Sequence, residues 1–204
     1  GIERYSMLSQ RARSNKIFVS YINAVGGQDE LVFDGQSIIL DPKGKIIARS
    51  PQFQESLLLA DINADQAKPF HEIHNQSFAN PKHYFIASGN RKETKILKPS
   101  VAEELEPYEE AFQALVLGTR DYVKKSGFNS VWVALSGGID SALVAAIAVD
   151  ALGPSFVQGL SMPSRYSSDG SITDAEELAN NLEITLSSIP IEKIHDKALL
   201  SLEN

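Results

Sequence analysis

The amino-acid sequence predicts an α/β fold whose second half contains a parallel β-sheet. From about residue 131, short apolar runs typical of strands alternate with helical runs of about ten residues, which indicates βαβ units. In the first half, "SIILD" and "IIARS" flank the turn "PKGK", a pattern that predicts a β-hairpin. Of the 204 residues, 43% are hydrophobic and 22% are charged, as in ordinary globular domains.

Composition narrows the classes of partner and chemistry. A net charge of -7 gives no long-range attraction for nucleic acid or an anionic membrane, so we expect neither as a partner and expect any anion to bind at a local site. The chain has no cysteine, which excludes disulfides and a thiol nucleophile within it. No apolar run approaches the ~20 residues that span a bilayer. Because the chain begins with Gly1 and polar, helix-like sequence, we expect it to be part of a longer protein.

The first half predicts one helix and a set of short strands. Residues 1–16 indicate a surface helix that leads into the strand "IFVSYINAV". "GGQDELVFDGQ" is interpreted as a glycine-bracketed loop, and "ESLLLADI", after the hairpin, as a further strand. The acids of this loop, Asp29, Glu30 and Asp34, either line a pocket or interface or are solvated and capping residues, as is common in loops.

A connector and a helical segment follow. Residues 66–104 contain prolines, histidines and amides without a sustained period, which predicts an irregular connector. The histidines of the chain show no cysteine or carboxylate at metal-ligand spacing. A helix is predicted from Pro107 to Gly127, because proline and acids occur at its start and lysines with glycine at its end. A later helix, "TDAEELANNL", has Thr173 and Glu176 as a candidate capping box.

The joint "LSGGIDSA" between the first parallel strand and its helix is the candidate site. In open parallel sheets, ligands bind at the carboxyl ends of the strands, where loops meet helix N-termini. Gly137 and Gly138 fall where backbone N–H groups are unpaired and the helix dipole is positive, and glycines let the backbone approach an anion. The hydroxyl groups of Ser136 and Ser141 can add donors. These features predict a polyphosphate site, with a serine-capped tight turn as the structural alternative.

Asp140 suits an anion site only if a cation is included. Mg²⁺ is typically bound by one or two carboxylates together with phosphate oxygens. As a plain helix-start acid, the same residue would contribute only ~0.3–1 kcal/mol through the helix dipole. Neither the Walker pattern nor the dinucleotide fingerprint is present at this joint, since no lysine follows the glycines and G-x-G-x-x-G is absent.

Two segments carry a family resemblance. "LSGGIDSA" resembles the pyrophosphate-binding loop of the N-type ATP pyrophosphatases, and "MPSRYSSD" followed by an acidic helix resembles their NAD synthetase branch. The run from "VGGQDELVFDG" to "ESLLLADI" resembles the later part of a nitrilase-type amidase. An amidase half before a synthetase half is the arrangement of the glutamine-dependent NAD synthetases.

The resemblance implies a domain division. Residues 1–65 would form the C-terminal part of a nitrilase-like α-β-β-α sandwich, and residues 66–104 the connector. Residues 105–204 would form the first part of a Rossmann-like domain of the adenine nucleotide alpha hydrolase type, with both domains incomplete. It also implies a cytoplasmic, homo-oligomeric enzyme.

The implied activity is ATP-dependent amidation of deamido-NAD⁺ to NAD⁺. Ammonia would come from glutamine, and an adenylated intermediate would release AMP and pyrophosphate, with ATP and Mg²⁺ required. The amidase Glu, Lys and Cys would lie upstream, so no catalytic residue is assigned here and the 204 residues alone are expected to be inactive. Two alternatives stay open, namely another N-type ATP pyrophosphatase amidotransferase and a non-catalytic nucleotide-binding module.

By the same resemblance, Asp140 would bind Mg²⁺, and the pyrophosphate loop would comprise Ala134, Leu135, Ser136, Gly137, Gly138, Ile139, Asp140 and Ser141. Leu135 and the segment Leu160 to Met162 would flank the adenosine, although both also suit a core. Arg165 could bind a phosphate, although a solvated arginine is the common case.

Overall fold

The computed structural model describes residues 2–67 and 97–202. Two compact units are present: Gly1–Ala24 with Asp34–Glu104, and Val25–Phe33 with Leu105–Asn204. In chain order the helices and strands are α1 (Ile2–Asn15), β1 (Val19–Tyr21), β2 (Val25–Gln28), β3 (Leu31–Asp34), β4 (Ile38–Leu40), β5 (Ile46–Arg49), α2 (Pro107–Lys125), β6 (Val131–Ala134), α3 (Ile139–Leu152), β7 (Val157–Ser161), α4 (Asp169–Asn181), β8 (Thr185–Ser188) and α5 (Glu192–Leu202).

The first unit packs α1 on a small antiparallel sheet of order β1-β4-β5. Leu8 and Ala12 lie on one face of α1 and form a buried cluster with Ile38 and Leu40 of β4. β4 and β5 pair antiparallel around the "PKGK" turn, so the predicted hairpin is confirmed. Most of the predicted connector, 66–104, lies outside the described residues, and the domain boundaries at 65 and 104 stay predictions.

Asp34 belongs to a polar network of this first unit. The Arg4 guanidinium donates to both of its carboxylate oxygens, at 2.9 and 2.6 Å, and the Asn23 side chain donates to it at 2.7 Å. The hydrogen bond to Asp34 raises the pKa of Arg4 above its ordinary value, against the opposing effect of burial. Asp34 therefore ties α1 to the strand region and is not a freely solvated loop acid.

Two predictions for the first half are wrong. "GGQDELVFDGQ" is not a loop, because β2 and β3 pair within it as a hairpin around Asp29, whose φ is 52°. Glycine occurs in β2 because its backbone approaches α2 closely: a Cβ on Gly27 would lie 3.1 Å from the Cα of Gly118. "ESLLLADI" forms no strand, and Leu57 and Leu59 are 85% and 54% exposed.

The second unit contains the predicted parallel sheet. Its strand order is β6-β7-β8, with Val131 opposite Val157 and Gln158 opposite Thr185. Strands, α3 and α4 share one buried cluster, which consists of Val133, Leu135, Ala145, Ala148, Val157, Ala175, Ala179 and Ile184. This sheet confirms the predicted α/β fold, and it brings the ends of β6 and β7 to one edge.

Helix boundaries agree with prediction at α2 and differ at α4. Pro107 is the first residue of α2, as the sequence predicts. α4 begins at Asp169, where the Ser168 side chain accepts a hydrogen bond from the N–H of Ser171 as the N-cap. The predicted capping box is wrong, because Thr173 lies inside the helix and its hydroxyl donates to the Asp169 carbonyl at 3.1 Å. Among the described residues, no helix is both long and apolar enough to span a membrane.

Candidate functional site at the β6–α3 loop

The candidate loop starts directly at the end of β6. The N–H of Leu135 donates to the carbonyl of Leu160 at 2.9 Å, which extends the β6–β7 pairing by one residue. Gly137 then takes a φ of 77°, in the left-handed region that favours glycine. A Cβ at this position would lie 2.4 Å from the carbonyl oxygen of Ser171, in the first turn of α4. The loop therefore depends on a residue without a side chain.

Both serines of the motif bond to the loop itself. The Oγ atoms of Ser136 and Ser141 lie 3.2 Å apart, and the Ser141 hydroxyl donates to the Gly138 carbonyl at 2.9 Å. The N–H of Gly138 donates to Ser136 Oγ at 3.3 Å. These bonds close the loop onto the first turn of α3, so the serines shape the loop. Their predicted donation to an anion stays a prediction.

The N-terminus of α3 has the features of an anion site. Gly138 is its N-cap, with φ −94° and ψ 156°, and no side chain caps the first turn. The first amides of a helix have no partner within the helix, and the dipole makes this end positive. Asp140 lies exposed in this same turn. An exposed carboxylate beside uncapped amides is compatible with a cation shared with a bound anion.

A cavity of about 160 Å³ lies beside this loop, at the carboxyl ends of β6 and β7. Pockets for whole small ligands measure about 300–1,000 Å³, so this cavity suits one part of a larger ligand. Its lining consists of Ala134, Leu135, Ser136, Ser161, Met162, Pro163, Ser167, Ser171 and Ile172. Four of the predicted site residues thus line one cavity, namely Ala134, Leu135, Ser136 and Met162.

Two lining residues were not predicted from the sequence. Ser171 and Ile172 belong to the first turn of α4, which the sequence predicts to start later. The signal that could have identified them is Ser168, because serine is a preferred N-cap residue and the structure has it as the N-cap of α4. Ser161, at the end of β7, falls in the predicted segment Leu160 to Met162 and is buried.

Arg165 does not line the cavity. Its guanidinium binds Glu192 and Asp196 of α5, and its backbone N–H donates to Glu192 Oε2 at 2.9 Å. Its predicted contact with a phosphate stays a prediction.

Within the described residues, His195 does have carboxylates at helical spacing, contrary to the prediction from the sequence. Glu192, His195 and Asp196 each offer an atom within 4.8 Å of the others. The guanidinium of Arg165 already binds both carboxylates, so this cluster is an ion-pair site.

A second cavity, of about 650 Å³, lies between the β2–β3 hairpin and α2. Its lining includes Leu31, Tyr122 and Lys125 but no strand end of the parallel sheet and no uncapped helix N-terminus. The smaller cavity is therefore the better candidate for a phosphorylated ligand, because it lies at the carboxyl ends of β6 and β7 and is lined by Ser136 of the glycine-rich loop.

The fold and the loop define the chain as an α/β protein that presents a glycine-rich loop at a helix N-terminus. Residues 111–202 match the NAD synthase family and residues 3–72 match the carbon-nitrogen hydrolase family. The predicted pairing of an amidase half with a synthetase half is thereby confirmed.

Relatives that align over nearly the whole chain include glutamine-dependent NAD(+) synthetases. The enzyme of Aquifex aeolicus is 43% identical over 194 residues, which are 93% of this chain and 34% of the relative. That of Synechocystis sp. is 43% identical over 202 residues, 98% of this chain and 32% of the relative. The chain thus spans about a third of the length of these relatives, and its predicted resemblance to part of such an enzyme is confirmed.

Comparison with solved structures gives the same family resemblance. A glutamine-dependent NAD+ synthetase of Acinetobacter baumannii, in complex with ADP, superposes with a TM-score of 0.77 at 34% identity, covering 98% of this chain and 33% of that one. The enzyme of Cytophaga hutchinsonii, at 18% identity and a TM-score of 0.70 over 100% of this chain and 35% of that one, shows the same fold. The predicted pairing of nitrilase-like and Rossmann-like parts is confirmed.

Proposed function

We propose that the protein containing this chain converts deamido-NAD⁺ to NAD⁺ with ATP, using ammonia from glutamine. One observation carries the proposal: the curled backbone at Gly137 leads into the uncapped N-terminus of α3 beside a cavity at the strand ends. The family matches of both halves support it. A homo-oligomeric state and a cytoplasmic location are proposed on the resemblance alone.

ATP is the proposed ligand of the loop. Backbone amides at a helix N-terminus bind phosphate, and the adjacent cavity is large enough for part of a nucleotide. The Acinetobacter baumannii relative was solved with ADP, which supports an adenine nucleotide here. Leu135, Leu160 and Met162 would flank the adenosine, while the loop residues bind the β- and γ-phosphates.

Mg²⁺ fits the same loop. Asp140 supplies one exposed carboxylate in the first turn of α3, and Mg²⁺ in nucleotide sites is commonly bound by one or two carboxylates plus phosphate oxygens. When bound, the ion would neutralise charge on the departing pyrophosphate. Asp140 is therefore the residue proposed to bind it.

The proposed reaction has two steps. A carboxylate oxygen of deamido-NAD⁺ attacks the α-phosphorus of ATP, the bond to the β-phosphate oxygen breaks, and pyrophosphate leaves. Ammonia then attacks the adenylated carbonyl carbon, AMP leaves with the bonding electrons, and the nitrogen loses a proton. The loop contributes preorganised donors where charge develops on the leaving pyrophosphate, which lowers the barrier of the first step.

Exchange of labelled pyrophosphate into ATP tests this proposal in the full-length natural protein. We expect exchange that requires deamido-NAD⁺, and NAD⁺ formation when glutamine is added. Exchange that requires a different carboxylic acid would instead identify another amidotransferase of the same class. ATP binding without exchange under any substrate would identify a non-catalytic nucleotide-binding module.

A further inference from the structure

We infer that Glu192, the first residue of α5, is a positioning residue that fixes the segment 163–167 along the nucleotide cavity. This inference rests on the proposed function, because it assigns a residue to the same site. Glu192 lies outside the motif and does not line the cavity. It acts through Arg165, which follows β7 in the 163–167 segment.

The contact between Glu192 and the segment has two parts. Glu192 Oε2 accepts the backbone N–H of Arg165 at 2.9 Å, and Oε1 accepts from the guanidinium of the same residue. Asp196, one turn further along α5, binds the guanidinium only. Glu192 therefore fixes the backbone of the segment, whereas Asp196 fixes the arginine side chain.

The fixed segment is part of the cavity wall. Pro163 and Ser167, at its two ends, line the cavity, with Met162 immediately before it. The Pro163 carbonyl accepts the N–H of Ile191 at 3.1 Å, so the segment is joined to the chain just before α5 at one further point. Movement at Arg165 would displace both lining residues.

The exposure of the Arg165 and Glu192 side chains indicates that their contact positions the segment and adds little to the stability of the domain. The side chains of Arg165 and Glu192 are 48% and 35% exposed, and ion pairs at such positions contribute little to the free energy of unfolding. The N–H and guanidinium of Arg165 lower the pKa of Glu192 below its ordinary value, so the carboxylate is charged at neutral pH. Loss of Glu192 should loosen the segment without unfolding the domain.

The test compares Glu192→Ala, Glu192→Asp and Arg165→Met in the full-length protein. For Glu192→Ala we expect the KM and the Kd for ATP to rise about tenfold, while kcat at saturating ATP stays within about twofold. Glu192→Asp keeps a carboxylate at the position and should recover most of the affinity. Arg165→Met keeps the backbone N–H and should have a smaller effect than Glu192→Ala. A larger effect would support the predicted phosphate contact of Arg165 and would overturn the inference.

Chymotrypsin cleavage gives a readout that does not depend on turnover. Tyr166 is 75% exposed, one residue after Arg165, and local loosening should accelerate cleavage after it about fivefold in Glu192→Ala. Glu177→Gln is the matched control, an exposed glutamate on α4, and should change neither cleavage nor ATP affinity.

The outcomes distinguish this inference from the proposed function. NAD⁺ synthesis by the wild type with unchanged ATP affinity in Glu192→Ala would overturn the inference alone. A wild type that forms no NAD⁺ but binds ATP, with affinity weakened by Glu192→Ala, would overturn the proposed function alone. A Glu192→Ala variant that loses kcat and also unfolds at a lower temperature than the wild type would likewise overturn the positioning role.

Discussion

Gly137 and Ser171 approach so closely that a Cβ on Gly137 would lie 2.4 Å from the Ser171 carbonyl oxygen and 2.6 Å from its Cα. The contact joins the β6–α3 loop to the first turn of α4. It explains why the motif needs glycine at this position, beyond the positive φ of 77°.

Gly137→Ala should therefore lower the free energy of unfolding by more than the strain of the left-handed backbone conformation alone. An L-residue in the left-handed region costs roughly 1–2 kcal/mol, and forcing a methyl group into packed backbone adds about 1–3 kcal/mol. We expect the free energy of unfolding to fall by about 2–5 kcal/mol, measured by urea denaturation.

Gly127→Ala is the matched control, since Gly127 has the same φ of 77° but a Cβ added there would have no heavy atom within 4 Å. The free energy of unfolding of Gly127→Ala should fall only by the cost of the left-handed backbone conformation. Equal losses in the two variants would show that the Ser171 contact has no energetic weight.

The sequence predicted those features of the fold and the site whose signals lie within a few neighbouring residues. Strand–helix alternation located the parallel sheet, and the glycines located the loop at Gly137, because both signals arise within a few residues. The β2–β3 hairpin was missed because Gly27 is tolerated in a strand only through its close packing on Gly118, about ninety residues away in sequence. The partners of Arg165 were missed for the same reason, since Glu192 lies in a later helix.

Asp140→Ala should abolish metal-dependent turnover with little change in folding. Because Asp140 is exposed in the first turn of α3, its removal leaves the core intact. If it binds Mg²⁺ at the departing pyrophosphate, we expect deamido-NAD⁺-dependent pyrophosphate exchange to fall at least about a hundredfold.

Asp150→Ala, an exposed aspartate in the same helix but near its C-terminus, is the control and should retain exchange. The measurement is the exchange rate in the full-length protein over a Mg²⁺ titration. Wild-type exchange in Asp140→Ala would contradict the assignment of the metal.

The 204-residue chain alone should form no NAD⁺. It spans about a third of the length of its relatives and contains no cysteine for a thiol-dependent amidase. NAD⁺ formation, measured with either glutamine or ammonia, should stay at background for the isolated chain and appear with the full-length protein. Turnover by the isolated chain would contradict this prediction.

Asp121 should make the packing of the hairpin on α2 sensitive to acid. Its carboxylate accepts the N–H of Gly27 at 2.8 Å, and Lys125 Nζ donates to the Gly27 carbonyl at 2.5 Å. Burial raises the pKa of Asp121, but the Gly27 N–H and the charges of Lys125 and Arg120 together outweigh it and hold the pKa below its ordinary value. This carboxylate therefore contributes stability above the unfolded pKa of about 3.9, and the contribution is lost as pH falls through the lower folded pKa.

Asp121→Asn should remove that pH-dependent contribution, so the free energy of unfolding should depend less on pH below about 4 than in the wild type. At pH 7 the variant should be less stable by about 1–2 kcal/mol, because a charged acceptor for the Gly27 N–H is lost. Asp174→Asn, an exposed residue on α4, is the control and should leave stability at pH 7 unchanged. Urea denaturation from pH 3 to pH 7 measures both variants, and parallel wild-type and Asp121→Asn curves would contradict the prediction.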